Sequence, residues 1–224
     1  MKYIDYKEKV DNILENVHEF HERFYDGMIF SGPSLYFHKV ALKDVNLKDF
    51  DRTLESTYAV LTSWGMHRMG SRGSKMNDFD KFKTSIILLR KDIDQAKKMR
   101  LENIESIDFS VIERIFKNIN IMKSETILVG NSKVMAHLLP HLIPPVDRNY
   151  TLKYIKGSTS IKNGKDEEWQ LLKEMLINFF NPIAADADFL KLASSWIKKN
   201  EIYSWDTSIP KVIDNLIIGS FEKK

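Results

Sequence analysis

Apolar residues recur every three or four positions along most of the chain, which is the period of helices that bury one face. Between residues 3 and 25, Val10, Ile13, Val17 and Phe24 fall on one such face. The same spacing predicts helices over residues 50–66, 79–99, 108–121, 166–180, 186–200 and 207–219. No alternating run of strand length interrupts them. The pattern predicts an all-α fold of about eight to ten helices. Residues 1–224 would form a single domain, either one body or two helical lobes around a cleft.

Glycine and proline punctuate the apolar pattern in residues 120–155. Gly130 predicts a turn between two helices, and Asn131 or Ser132 is typical of the residue that caps the second helix. Lys133 follows at the start of that helix. A helix N-terminus carries a partial positive charge and favours anionic ligands such as phosphate. This element therefore predicts an anion site.

Proline then forces the chain out of the helix. Three prolines between residues 140 and 145 predict an extended segment. After it, Asp147 or Asn149 is typical of the cap of a further helix. Asp147 is thereby held at a fixed position relative to Gly130. Another interpretation makes Asp147 an ordinary helix cap that pairs with its neighbour Arg148.

The order of glycine turn, lysine, apolar helix, proline segment, Val-Asp and new helix resembles the core of helix-hairpin-helix DNA glycosylases. The resemblance covers residues 125–154. In that superfamily the hairpin backbone grips a DNA phosphate, an aspartate serves cleavage of the glycosidic bond, and some members add a lysine nucleophile. The resemblance implies that Asp147 and Lys133 are catalytic. It also implies that Gly130 is the last hairpin glycine and that the two residues after it contact DNA. Only one of the usual two hairpin glycines is present, and the lysine-to-aspartate separation is about one helical turn shorter than in the family.

The resemblance implies an enzyme that flips a damaged or modified base out of duplex DNA and excises it. A carboxylate such as Asp147 can stabilise an oxocarbenium-like sugar and activate water. If Lys133 forms a Schiff base, the enzyme also cuts the strand. Two alternative functions fit the same helical fold without this chemistry. One is a non-catalytic helix-hairpin-helix module that binds DNA, and the other is a helical protein-interaction domain.

Basic residues beside glycines suit contacts with a phosphate backbone. In residues 67–75 we expect Arg68, Arg72 and Lys75 to make such contacts, together with Arg148. A solvated surface loop is the alternative interpretation of this stretch. The net charge of +3 and the pI near 8.8 permit a nucleic-acid partner without requiring one.

Aromatic and imidazole side chains are candidate walls of a pocket for the extruded base, because such rings stack on bases. From their order along the chain, the candidates are Tyr36, His38, Trp64, His67 and Tyr150. Tyr36 and His38 lie in a short aromatic segment after a predicted turn, and adjacent side chains of that segment cannot all face one core. Core packing is the alternative interpretation for both residues.

The sequence contains no cysteine, which excludes disulfides, cysteine-ligated zinc or iron–sulfur clusters and thiol catalysis. His18 and His21 stand one turn apart but have no third ligand nearby. Pro140 breaks the helical geometry that would bring His137 and His141 together. We therefore expect neither a metal nor a cofactor. No apolar run reaches the ~20 residues that span a bilayer, and the charged N-terminus is unlike a signal peptide. We expect a cytoplasmic protein, nucleoid-associated in a prokaryote, without a membrane partner. The sequence leaves its oligomeric state open.

Overall fold

The computed structural model describes residues 4–27, 32–44, 50–67, 69–70, 73–162 and 164–221. Within these ranges the fold is all-α, as the hydrophobic pattern predicts. Its α-helices are α1 (Tyr6–Glu15), α2 (Val17–Asp26), α3 (Pro33–Asp44), α4 (Phe50–Ser63), α5 (Phe79–Leu88), α6 (Arg90–Ala96), α7 (Phe109–Asn118), α8 (Leu128–Leu138), α9 (Lys153–Lys156), α10 (Lys165–Met175), α11 (Asn181–Ala185), α12 (Ala187–Lys198) and α13 (Ile209–Gly219). Short π-helical turns lie at Arg148–Leu152 and Leu176–Phe180, and a 3₁₀ turn lies at Ile104–Ser106. The two-residue strands β1 (Met69–Gly70) and β2 (Gly73–Ser74) pair antiparallel.

Side-chain caps set the start of several helices. Asp108, Asp186 and Ser208 each accept a hydrogen bond from a backbone N–H in the first turn of α7, α12 and α13. Such caps satisfy donors that have no partner within the helix. These signals are local to the sequence, and the ranges predicted for these three helices agree closely with the structure.

Two long predicted helices are each divided, and two helices, α3 and the short α11, were not predicted. The segment 3–25 forms α1 and α2, which meet at Asn16, where the side-chain Nδ2 donates to the carbonyl of Asn12 at 2.9 Å. The segment 79–99 forms α5 and α6, which meet at Leu89. Residues 33–44 form α3, although the sequence predicts a turn and a short aromatic segment there. Its proline is the first residue of the helix. An N–H at that position has no partner within the helix, so its absence in proline costs no helical hydrogen bond.

Buried apolar side chains from α1 to α13 form one continuous cluster. Large fully buried side chains in it are Phe82, Phe116, Trp169, Phe179 and Phe180. Helix α3 packs along α4, α2 packs along α13, and α8 contacts both α3 and α4. Helix α13 also contacts the turn at Arg148–Leu152. Among the described residues, no helix combines the length and the apolarity needed to cross a bilayer.

Helices α2 and α13 approach so closely at Gly219 that a side chain does not fit. A Cβ at Gly219 would lie 1.9 Å from the carbonyl oxygen of Phe20. Because backbone atoms cannot move aside without separating the helices, Gly219→Ala is expected to lower the free energy of unfolding by about 1–3 kcal/mol, the usual cost of overpacking. Chemical denaturation measures this loss. Ser220→Ala, which adds no atom and removes only the hydrogen bond to the carbonyl of Ile217, is the matched control. A Gly219→Ala protein as stable as the wild type would contradict the predicted clash.

Candidate active site

Helix α8 is the first element of the site, and its start differs from the prediction. The helix begins at Leu128, so Gly130 lies within its first turn in helical geometry. The predicted turn at Gly130 and the predicted caps at Asn131 or Ser132 are therefore wrong. Gly130 is a packing position instead, because a Cβ there would lie 2.5 Å from Cγ of Met122.

The side chains of Asn131 and Ser132 are fully buried and cannot reach a DNA phosphate, which corrects their prediction as DNA contacts. Nδ2 of Asn131 donates to the carbonyl oxygen of Phe116 at 2.7 Å and so holds α8 against α7. Oγ of Ser132 accepts a hydrogen bond from the N–H of Val146 at 3.1 Å. The serine thereby ties the proline segment to α8 immediately before Asp147.

A buried carboxylate closes part of the α8 N-terminus. Oε2 of Glu168 accepts hydrogen bonds from the N–H of Ile127, at 2.8 Å, and from the N–H of Leu128. Burial raises the pKa of Glu168, although these two donors act in the opposite direction. The anion site predicted at this helix end is therefore partly filled by the protein itself. The next residues, Val129 and Gly130, line an open groove.

Lys133 lies in the middle of α8 and not, as predicted, at its start, and it meets Asp147 at the end of the proline segment. Nζ of Lys133 lies 3.0 Å from Oδ2 of Asp147. Oδ1 of Asp147 accepts a hydrogen bond from the N–H of Asn149 at 2.8 Å and caps the turn that follows. The N–H of Asp147 donates to Oγ1 of Thr151 at 3.0 Å. The lysine side chain is 10% exposed and the aspartate side chain is 31% exposed. The carboxylate is thus fixed in position and still reaches solvent.

The surroundings of Asp147 keep it ionised. Burial acts to raise its pKa, but the charge of Lys133 and hydrogen bonds from the N–H groups of Asn149 and Tyr150 outweigh burial and lower the pKa below the ordinary value. A carboxylate with a lowered pKa is negatively charged at neutral pH. Asp147 can therefore stabilise positive charge on a ligand and accept a proton.

A cavity of about 340 Å³ opens beside this ion pair. Its volume is at the lower end of the ~300–1,000 Å³ typical of small-ligand sites. Most of its wall is apolar and aromatic, and these residues are Phe24, Trp64, Pro145, Tyr150, Trp205 and Ile218. Four charged residues also line the cavity, and they are Lys133, Asp147, Lys211 and Asp214. An aromatic wall with a few charged groups suits a flat, polar ligand.

A groove of about 670 Å³ adjoins the same ion pair. Lys133 and Asp147 line both the groove and the cavity. Lys75, Lys123 and Arg148 also line the groove. The N–H of Lys123 donates to the carbonyl of Lys75 at 2.9 Å, which holds these two basic residues side by side. The ion pair therefore stands at the junction between a basic groove and an aromatic cavity.

Of the five other predicted DNA contacts, three line this groove and two lie outside the described residues. Lys75 and Arg148 line the groove, and so does Gly130 of α8. Arg68 and Arg72 lie outside the described residues.

The structure places only two of the predicted pocket walls, Trp64 and Tyr150, at the cavity. Tyr36 is 63% exposed on α3, and His67 is also exposed; neither lines the cavity or the groove. His38 is buried and does not line the cavity either. The predictions for Tyr36 and His38 are wrong, because α3 presents its tyrosine to solvent and its histidine to the core. The prediction for His67 is wrong because its ring is held at the surface by the carbonyl of Thr62, 2.9 Å from Nδ1.

Helix α13 and its neighbours supply residues that sequence reasoning missed. They are Phe24, Trp205, Lys211 and Asp214. Nζ of Lys211 lies 2.7 Å from Oδ2 of Asp214, and both residues are buried. Burial raises the pKa of Asp214, and the charge of Lys211 opposes this rise. The sequence does contain a signal for this pair. Lys211 and Asp214 stand one turn apart in the helix Ile209–Gly219, whose other residues are mostly apolar.

Two buried histidines support the aromatic wall from behind. The carbonyl of Lys133 can only accept, so Nδ1 of His137 donates to it at 2.7 Å. Nε2 of His137 then accepts from Nδ1 of His38 at 3.0 Å, and Nε2 of His38 accepts from the hydroxyl of Thr207 at 3.1 Å. The ring of His38 stacks on Trp205 with centroids 5.1 Å apart. This chain of hydrogen bonds requires His137 to be neutral, and burial lowers the pKa of His38 so that it is neutral as well.

The histidine pair predicts a loss of stability in mild acid. Burial, with the charges of Lys211 and Lys133, lowers the pKa of His137 from 6.5 to about 4, and burial and His137 lower the pKa of His38 well below 6.5. Below pH 6.5 the unfolded chain binds protons that the folded protein excludes, so stability falls as the pH drops from about 6.5 to about 4. His137 alone accounts for about 3 kcal/mol at pH 4.

Urea denaturation at several pH values measures this loss. In His137→Gln the slope of stability against pH between 6.5 and 4 is expected to be smaller than in the wild type. The variant lacks an imidazole that binds a proton in the unfolded chain but not in the folded protein. An unchanged slope in the variant would contradict the assignment of this titration to the buried pair.

Comparison of the chain with protein-family models, with curated proteins and with solved structures gives no match. Within the part of the chain that the structure describes, no group of three or more histidine, aspartate or glutamate side chains is arranged to hold a metal ion. Function is therefore inferred from the geometry of the site.

Proposed function

We propose that this protein is a DNA glycosylase-like enzyme that extrudes a damaged or modified base from duplex DNA and excises it. The observation that carries the proposal is the position of the Lys133–Asp147 ion pair. It stands where a basic groove meets an aromatic cavity. An enzyme that removes a base needs its catalytic groups between a backbone-binding surface and a base pocket, because the glycosidic bond joins the sugar to the base.

The groove supports the proposal through its charge. Lys75, Lys123 and Arg148 supply cations for successive phosphates, and phosphate contacts position a protein on DNA without reading its sequence. The backbone of Val129 and Gly130 also reaches the groove at the N-terminal turn of α8. Backbone N–H groups at a helix N-terminus favour an anion.

The cavity supports the proposal through its shape and chemistry. Trp64 and Trp205 contribute flat rings to its wall, and such rings stack on an extruded base. Their ring centroids lie 6.5 Å apart at an angle of 39°. The cavity adjoins Asp147 directly, so a base inside it would leave its sugar beside the carboxylate.

Asp147 is suited to the hydrolytic step. As the bond between C1′ and the base nitrogen breaks, its electron pair leaves with the base and the sugar gains oxocarbenium character. The ionised carboxylate stabilises that positive charge. It also accepts a proton from the water that attacks C1′, and the departing base takes up a proton in turn.

Lys133 offers a second route at the same carbon. After its ammonium loses a proton, Nζ attacks C1′, the base departs with the bonding electrons, and an imine to the opened sugar follows. Elimination from that imine cuts the strand. The ammonium proton goes to solvent, and the 3.0 Å contact with Asp147 holds Nζ beside the carboxylate.

A panel of duplexes tests the proposal. Each duplex carries one modified base, is incubated with the protein and is heated in alkali, which breaks the strand at an abasic site. We expect breakage at the modified base of at least one duplex and none in the unmodified duplex. Salt-dependent binding without an abasic site would favour the non-catalytic DNA-binding module. Absence of DNA binding even at low salt would favour the helical protein-interaction domain.

A further inference from the structure

The cavity contains a second ion pair that the excision chemistry does not use. Lys211 and Asp214 stand one turn apart on α13 and are 7% and 6% exposed. Both line the cavity together with Lys133 and Asp147. The charges of Lys133 and Asp147 also influence the ionisation of Asp214, which places all four groups in one electrostatic environment.

A buried network holds the Lys211 ammonium in a fixed direction. Nζ donates to Oδ2 of Asp214 at 2.7 Å and also to Oδ1 of Asn215. Nδ2 of Asn215 donates to Oδ1 of Asp206 at 2.7 Å. Oδ2 of Asp206 in turn lies 2.7 Å from Nε2 of His21. Side chains fixed in this way are pre-organised for a ligand, because binding does not have to order them.

The pair retains unused hydrogen-bonding capacity. An ammonium has three N–H donors, and Asp214 and Asn215 take two of those of Lys211. Oδ1 of Asp214 accepts no hydrogen bond from the residues that the structure describes. One donor and one acceptor therefore remain side by side on buried side chains at the cavity wall. Leaving such groups unpaired in a filled cavity is costly, so the preferred occupant supplies the complementary pair.

Two aromatic rings flank this donor and acceptor. Nζ of Lys211 lies 5.4 Å from the ring centroid of Trp205 and 5.8 Å from that of Phe24. Both rings line the cavity. The ammonium of Lys211 therefore lies over both rings at the wall of the cavity.

We propose that Lys211 and Asp214 select bases with a lactam edge, in which a carbonyl oxygen stands next to a ring N–H. This inference rests on the proposed function and specifies its substrate class among the bases that leave the stack, because unmodified guanine and thymine share this edge but are more costly to extrude. Lys211 donates to the carbonyl oxygen, and Asp214 accepts from the ring N–H. A lactam oxygen protrudes from the ring and carries two lone pairs. An amidine edge, as in adenine, offers the lysine only a recessed ring nitrogen with one lone pair.

Single-turnover release and equilibrium binding test the selection. The duplexes carry hypoxanthine, uracil or 8-oxoguanine as lactam bases, and N6-methyladenine or 1,N6-ethenoadenine as bases without a lactam edge. We expect the wild type to prefer the lactam set. Lys211→Met is expected to weaken that preference by about 10- to 100-fold, the effect of losing a bidentate contact with a base edge. Asp214→Asn should act in the same direction.

Ile218→Val is the matched control, since Ile218 lines the same cavity from the same helix without a hydrogen bond. It is expected to affect both sets equally. Binding to a duplex with a tetrahydrofuran abasic analogue, which has no base to read, shows whether each variant still folds and binds DNA. If Lys211→Met does not fold, the effect of Asp214→Asn on the preference decides.

Failure of the inference is distinguishable from failure of the proposed function. Release of no base from any duplex refutes the proposed function, and the ratio of affinities for lactam and adenine-type duplexes still tests the selection. Equal wild-type affinities for the two sets, or an unchanged preference in both variants, would overturn the role of Lys211 and Asp214.

Discussion

Asp147→Asn is expected to lower the rate of base release by about 10²- to 10⁴-fold, the usual contribution of a positioned acid or base. Asparagine can still accept the N–H of Asn149 and remains a good helix cap, so the local backbone should keep its shape. What the variant loses is the negative charge beside the sugar and the proton acceptor for water. Single-turnover kinetics on a duplex that the wild type cleaves measures the loss.

The substitution should leave DNA binding nearly intact, because the groove cations are unchanged. Asp188→Asn, at an exposed position on α12, is the matched control and is expected to release the base at the wild-type rate. Thermal unfolding of both variants checks that the buried Lys133 charge, no longer paired with a carboxylate, has not unfolded the site. Wild-type rates in Asp147→Asn would end its assignment as the essential carboxylate.

Lys133→Met is expected to abolish covalent trapping of the protein on its DNA. If Nζ forms an imine with the sugar, borohydride reduces it to a stable amine and joins protein to strand. Methionine preserves the length and much of the apolar contact of the side chain beside Trp64, whose ring centroid lies 5.5 Å from Nζ, but it has no amine. Denaturing electrophoresis detects the adduct, and mass spectrometry locates it.

Lys123→Met is the matched control for this experiment. It removes another lysine of the same groove and should reduce the salt dependence of binding by about one unit of slope while leaving the adduct in place. An adduct that persists in Lys133→Met would move the nucleophile elsewhere, with Lys211 as the other amine that lines the cavity. Abasic sites without any adduct in the wild type would leave hydrolysis through Asp147 as the only route.

The helices that could be predicted from the sequence are those whose capping residues and apolar faces lie within the helix or directly beside it. Asp108 and Ser208 cap α7 and α13 as their sequence positions indicate, and the apolar faces of those helices are buried. The break at Leu89 carries no glycine or proline, so the hydrophobic pattern continued through it. Helix α3 was missed because Tyr36 and His38 interrupt its apolar face. The histidine is nevertheless buried, since its hydrogen bonds are supplied by side chains distant in sequence.

The candidate site shows the same division between local and tertiary information. The resemblance drew attention to Lys133 and Asp147, and the structure places their charged atoms 3.0 Å apart. The expected hairpin turn was wrong, because Gly130 is helical and Glu168 caps the helix start. The cavity could not be derived from the sequence, since Phe24 and Lys211 reach it from helices at opposite ends of the chain.

The structure of Asp147→Asn bound to a duplex with a base that the wild type releases tests the central claim most directly. We expect the phosphates in the groove of Lys75, Lys123 and Arg148, the base in the cavity, and C1′ of its sugar facing the side chain at position 147. A duplex bound on another face of the protein, or a base that remains stacked in the helix with the cavity empty, would contradict the account.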